Sequence, residues 1–159
     1  MIMKNSKITI LVLSDSHGKK DFILNLTNNP KYDYVFYLGD GIDRDLGTLI
    51  YDPRLKCVKG NCDNCFSDFP LGETVYLENC KIFLTHGHEY QAKYGNELLL
   101  KLAIDNKYNI VCFGHTHKQG HYIFNNIHLI NPGALKNGDY AEIIIDENKI
   151  DVIFNKILI

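Results

Sequence analysis

The sequence predicts an α/β domain with two stacked sheets. Three observations lead there. In the first half, short continuous apolar runs alternate with helical patterns. The second half is dense in strand patterns joined by polar turns. Asp, Asn and His residues follow the glycine-marked ends of five apolar runs. Strands alternating with helices imply parallel pairing, whereas the later hairpin signals imply antiparallel strands. The 159 residues suit one domain over 1–159, and no linker, repeat or low-complexity segment divides them.

Ile8–Leu13 (ITILVL) is apolar throughout and rich in β-branched residues, which predicts a strand buried on both faces. Lys19–Asn28 carries Phe22, Ile23 and Leu26 at helical spacing and ends before Pro30. Tyr34–Leu38 is a second buried strand, Ile42–Tyr51 a short helix and Leu55–Lys59 a third strand. Glu73–Leu77 and Lys81–Thr85 form a hairpin about Glu78-Asn79. Asn96–Asn106 is a helix with Leu98, Leu99, Leu102 and Ala103 on its apolar side. Strands follow at Ile110–Phe113, His121–Phe124, His128–Ile130 and Tyr140–Ile145, with turns at Asn125-Asn126 and Asn137-Gly138. Lys149–Ile157 completes a hairpin about Glu147-Asn148.

Composition narrows the function. Hydrophobic residues make up 45% and charged residues 23%, as in a globular, soluble protein. A net charge of −2, without a basic stripe, offers no electrostatic basis for binding nucleic acid. Met1–Lys7 is short and polar, no signal-peptide pattern follows, and no apolar run reaches membrane-spanning length, so the expected location is cytoplasmic, away from membranes. The five cysteines are odd in number, and Cys62-x-x-Cys65 has no second pair to complete a zinc knuckle, so ordinary thiols are expected.

The chemistry lies at the strand ends. Ile8–Leu13 runs into Asp15-Ser16-His17-Gly18, Tyr34–Leu38 into Gly39-Asp40-Gly41, and Leu55–Lys59 into Gly60-Asn61-Cys62-Asp63. Lys81–Thr85 runs into His86-Gly87-His88, and Ile110–Phe113 into Gly114-His115-Thr116-His117. Ligands of open α/β sheets bind beyond the carboxyl ends of strands. In extended chain, residues two apart face the same way, so Asp15 with His17 and His115 with His117 are each expected to reach one small centre. Imidazole with carboxylate suits Mn, Fe, Ni or Zn better than Ca or Mg. His121 and His128 lie within strands and read as surface or core residues. The ten tyrosines show no stacking pattern for RNA.

The order D-x-H, G-D, G-N-x-D, G-H, G-H-x-H resembles the calcineurin-like metallophosphoesterase superfamily. LSDSHG, LGDG, VKGNCD, LTHGHEY, FGHTH and INPGA resemble its small prokaryotic phosphodiesterase branch. The resemblance runs from Ile8 to at least Ala134. It implies an α/β/β/α sandwich of four layers about two central mixed sheets. It implies two divalent metal ions, manganese first, with Ni, Fe and Zn as alternatives. Asp15, His17 and His117 are then expected to hold one ion, Asn61, His86 and His115 the other, and Asp40 to bridge them. It also implies hydrolysis of a small phosphodiester by a metal-bridging hydroxide, with Asp40, Asn61 and His88 expected to act in catalysis, and assembly as a homodimer or homotetramer.

Asn131 of INPGA is expected to shape the site wall. Gln119 and Ala134 replace residues usual in the branch, which bears on substrate fit. Cys62 stands where larger relatives carry a histidine that protonates the leaving group, leaving Cys62 and His88 as the two candidates for that proton. The rival reading is a non-catalytic scaffold, since the same fold serves protein assembly in the retromer complex. Retention of all seven ligand positions favours an enzyme.

Overall fold

The computed structural model of the protein describes residues 7–65 and 67–158. The polar start read above, Met1–Lys7, lies outside them up to Ser6. The strands are β1 (Ile8–Leu13), β2 (Tyr34–Tyr37), β3 (Leu55–Cys57), β4 (Gly72–Leu77), β5 (Cys80–Thr85), β6 (Ile110–Cys112), β7 (Gln119–Phe124), β8 (Ile127–Pro132), β9 (Asp139–Asp146) and β10 (Lys149–Lys156). The helices are α1 (Lys20–Thr27) and α2 (Glu97–Asn106).

Two five-stranded mixed sheets result, in the orders β10-β9-β1-β2-β3 and β4-β5-β6-β8-β7. β1, β2 and β3 are parallel neighbours, as the strand–helix alternation implied, and β9 and β10 extend that sheet antiparallel. In the second sheet β5, β6 and β8 are parallel, flanked by antiparallel β4 and β7.

Three apolar clusters define the four layers. Between the sheets lie Ile10, Val12, Phe36, Ile82, Leu84, Ile110, Ile130 and Ile143. Leu11, Leu13, Val35 and Tyr37 face the other way, onto Ile23 of α1 and Leu46 and Leu49. On the second sheet, Val111 and Leu129 pack on Leu99 and Ala103 of α2. Alternate residues of β1 therefore serve different layers, which is why that strand is apolar at every position.

Two expectations need correction, on Ile42–Tyr51 and on Leu98. Ile42–Tyr51 is not one helix: a π-helical turn, Ile42–Leu46, gives way to a 3-10 turn, Gly47–Tyr51, at Gly47 with φ 52°. A left-handed residue ends a helical run, and glycine takes that conformation at the least cost. On α2, Leu99 and Ala103 are buried but Leu98 is exposed, because it projects off the contact stripe. The two-residue turn Asn125-Asn126 has positive φ at both positions, as a tight hairpin turn needs. All five cysteines are free thiols. Among the described residues, no helix is long and apolar enough to cross a membrane.

Candidate metal centre

Loops after β1, β2, β5 and β6 meet at one end of the sandwich. Asp15, His17 and His117 form one group whose ligand atoms all lie within 4.8 Å of one another, and Asp40, His86 and His115 form a second. The groups touch. His86 Nε2 lies 3.1 Å from Asp40 Oδ2 and 3.8 Å from Asp15 Oδ1, while His117 Nε2 lies 3.1 Å from Asp15 Oδ1. Asp15, Asp40 and His86 are buried; His17, His115 and His117 form the half-buried rim.

The local backbone is unusual. Asp15, His17, Asp40, His115 and His117 all have positive φ, between 39° and 68°. Non-glycine residues rarely take this conformation, and it concentrates where function imposes it. This corrects the extended-chain argument for the i, i+2 pairs. Asp15 and His17 converge because the chain turns left-handed at both, and His115 and His117 do so for the same reason.

Close approach also needs glycine. A Cβ on Gly60 would collide with Asp40 Oδ1, and one on Gly114 with Ser14 Oγ and Asp15 Oδ2. Bare backbone thus lets the β3 and β6 loops press against the two carboxylates.

Histidine orientation follows from hydrogen bonding. His86 Nδ1 lies 2.7 Å from the Leu38 carbonyl, so it donates there and leaves Nε2 facing the carboxylates. His86 Nε2 and His17 Nε2 are buried without a hydrogen-bond partner; the 3.1 Å approach of His86 to Asp40 lacks hydrogen-bonding alignment. Buried ring nitrogens aimed at carboxylates, with no donor–acceptor pairing, fit a cation set between them. The donor set of imidazoles and carboxylates fits it too.

The electrostatics agree. Burial pushes Asp40 up, but His86 and the Cys62 amide outweigh it and hold Asp40 well below the usual carboxylate range. Burial would lower His86; Asp40 and Asp15 overcome this and raise it. His115 is pushed down to about 4 by burial and then by the His86 charge, and burial lowers His117. Both rim imidazoles are therefore neutral lone-pair donors at pH 7.

Two further expected residues lie outside these two ligand groups. His88 is half-buried, with ring centroids 5.5 Å from His86 and 6.1 Å from His115, and its Nδ1 has no partner. Asn61 is solvent-exposed on the turn beside Asp40, and its side-chain nitrogen faces Cys62 Sγ at 3.6 Å. The Cys62 amide donates to Asp40 Oδ1 at 2.8 Å, and its thiol is raised by partial burial and the Asp40 charge. His121 and His128 pair with each other, Nε2 to Nδ1, at 2.8 Å.

The calcineurin-like phosphoesterase superfamily domain matches residues 8–145. The chain belongs to this family. It is 29% identical over 134 residues to a probable metallophosphoesterase, YsnB, of Bacillus subtilis, covering 81% of this chain and 76% of that protein. A predicted phosphoesterase from Streptococcus pneumoniae superposes with a TM-score of 0.84 at 29% identity, over 94% of this chain and 90% of that one. Vacuolar protein sorting-associated protein 29 of Schizosaccharomyces pombe is 29% identical over 126 residues, 79% of this chain but 60% of its own length.

Within this family frame, sequence reasoning gave no role to three supporting residues, Asp63, Asp45 and Arg44, and too small a role to Asn131. Asp63 accepts the backbone amides of Asp40, Gly41, Ile42 and Gly60 at 2.7–2.9 Å, tying the β2 and β3 loops together. Buried Asp45 accepts Ser16 Oγ and the Gly18 amide, fixing the Asp15–Gly18 turn. Asn131, expected only as a wall, donates to the Gly114 carbonyl and Thr116 Oγ and so holds the β6 loop. Arg44, whose Nε lies 3.3 Å from Asp45 Oδ1, shares a cleft of about 280 Å³ with His17, Asp40 and Cys62. Aspartates near glycine turns signal such roles, but their partners are remote in sequence.

Replacing Asp63 by Ala strands four amides. We expect a loss of about 3 kcal/mol or more in urea unfolding and weaker divalent-cation binding. An unchanged unfolding midpoint would show that Asp63 does not brace these loops.

Proposed function

We propose that this protein is a two-metal-dependent phosphodiesterase acting on a small substrate. The observation that carries the reading is the pair of abutting ligand groups, Asp15/His17/His117 and Asp40/His86/His115, with buried imidazole nitrogens aimed at buried carboxylates. Asp15, His17 and His117 would hold one ion and His86 and His115 the other, with Asp40 reaching both and Asn61 added from the neighbouring turn. Manganese suits the mixed imidazole–carboxylate set. When bound, such a pair of cations acidifies a shared water and neutralises phosphoryl oxygens.

The chain's own groups complete the site. The Cys62 amide orients Asp40 through Oδ1, leaving Oδ2 for His86 and the cation side. Asp45 anchors Arg44 at the mouth of the cleft, where its guanidinium can pair with a non-bridging phosphoryl oxygen. Burial and then the His86 charge lower the His88 pKa, so its imidazole is neutral at pH 7 and suited to accept a hydrogen bond from substrate. The likeness to vacuolar protein sorting-associated protein 29 favours the scaffold reading. Against it stand the full set of ligand-type residues and the strained backbone that aims them, which assembly alone does not require.

Release of p-nitrophenol from bis-p-nitrophenyl phosphate is expected with added manganese and is lost on chelation. Asp40→Asn should lower kcat/KM at least about 100-fold and reduce bound metal from two ions, since one carboxylate serves both. Full activity and two ions in Asp40→Asn would overturn the site; no turnover by the metal-loaded native protein would favour the scaffold.

The pH dependence has a defined sign. His86 is raised, so below its pKa it carries a proton that a cation must displace; His115, at about 4, carries none near neutrality. Metal affinity should therefore strengthen as pH rises above about 6.5, the ordinary histidine value. Calorimetric titration in buffers of different ionisation enthalpy should show proton release, falling away at alkaline pH. Affinity that weakens over this range would contradict the assignment of His86.

A further inference from the structure

A second cleft, of about 480 Å³, lies against the same loop, on a side the proposed chemistry does not use. Its walls include Lys93, Asn96, Thr116, Lys118 and Tyr122. Thr116 stands between His115 and His117, so the cleft begins where the candidate ligands end. Its floor is rigid, because Asn131 fixes Thr116 Oγ at 2.9 Å and the Gly114 carbonyl at 3.0 Å.

The polar lining has a distinct character. Lys93 and Lys118 are exposed, and neither ammonium is in an ion pair among the described residues. Asn96 begins α2, yet its side chain makes no capping bond and its amide remains available. The Glu97 carboxylate lies beside Gly95 on this rim, one negative charge against two positive. Tyr122 is 52% exposed, and its ring lies across Gly120, where any Cβ would meet it, forming an aromatic wall. The cleft bearing Arg44, by contrast, carries the carboxylates of Asp40, Asp43 and Asp63.

We propose that this lysine-lined cleft is a second anion subsite, which takes a phosphate that the substrate carries in addition to its diester. The preferred substrates are then small phosphodiesters with a further phosphomonoester on the same organic group, such as a phosphorylated nucleoside. The ammonium groups of Lys93 and Lys118 and the Asn96 amide donate to that phosphate, and the Tyr122 ring packs on the apolar body joining the two phosphates. This rests on the phosphodiesterase reading above.

The test is a matched pair of chromogenic esters, thymidine 5′-(p-nitrophenyl phosphate) with and without a 3′-phosphate, hydrolysed by the manganese-loaded protein. The 3′-phosphate should lower KM about tenfold at low salt, and the gain should shrink as salt rises. In the Lys93→Gln/Lys118→Gln double variant that gain should vanish, with kcat on the unphosphorylated ester unchanged. Equal KM for the two esters in the native protein, or a gain that survives in the double variant, would overturn the subsite. If neither ester is hydrolysed, the diesterase reading fails, and calorimetry decides the subsite separately. Thymidine 3′,5′-bisphosphate should then bind more tightly than thymidine 5′-monophosphate to the native protein but not to the double variant, and equal affinities for the native protein would overturn it.

Discussion

Two carboxylates, Asp15 and Asp40, are buried side by side at the ends of parallel neighbours β1 and β2. Burying like charges together is costly unless cations or donors compensate. Much of the surrounding structure answers that constraint. The Cys62 and His115 amides each donate to one of the carboxylates. His86 stands between them with its other nitrogen tied to Leu38, so its free nitrogen cannot turn away. The remaining excess of negative charge, facing ring nitrogens that lack partners, is what a divalent cation satisfies.

Holding the carboxylates there demands a rigid support. β1 is packed on both faces, between the sheets and beneath α1, so its carboxyl end has little freedom. Asp63 and Asp45, neither of them in the two ligand groups, knit the loops by accepting amides and a hydroxyl. Left-handed backbone at five of the candidate residues carries a cost of order 1–3 kcal/mol each. The packed sandwich offsets that cost. Loops of this kind work because the elements beneath them do not move.

The strands were readable because both faces of β1, β2 and β6 are buried, which writes an uninterrupted apolar run into the chain. The division of Ile42–Tyr51 at Gly47 was not, since its apolar spacing suits an α-helix and only the left-handed backbone there breaks it. Leu98 looked equivalent to Leu99, but the direction of α2 against β6 and β8 decides which leucine is covered. At the site, residue type and strand-end position marked Asp15, Asp40 and His86 well, because buried charge and imidazole have few other uses there. The reason for the paired spacing lay in turn geometry, not in the pleat. Asp63 and Asp45 act through partners about 20 to 30 residues away, which no local pattern encodes. The four-layer order followed from the family resemblance, because strand counting fixes neither which sheet a strand joins nor how the sheets stack.

The central claim is that the strand-end residues make two adjacent cation sites. Crystals grown or soaked with manganese, and measured for anomalous scattering, test it most directly. The account predicts two peaks at this end of the sandwich, one bound by Asp15, His17 and His117, the other by His86 and His115, with Asp40 between them at the short separation of about 3.5–4 Å seen in two-metal sites. A single peak, or manganese bound only elsewhere on the protein, would contradict it.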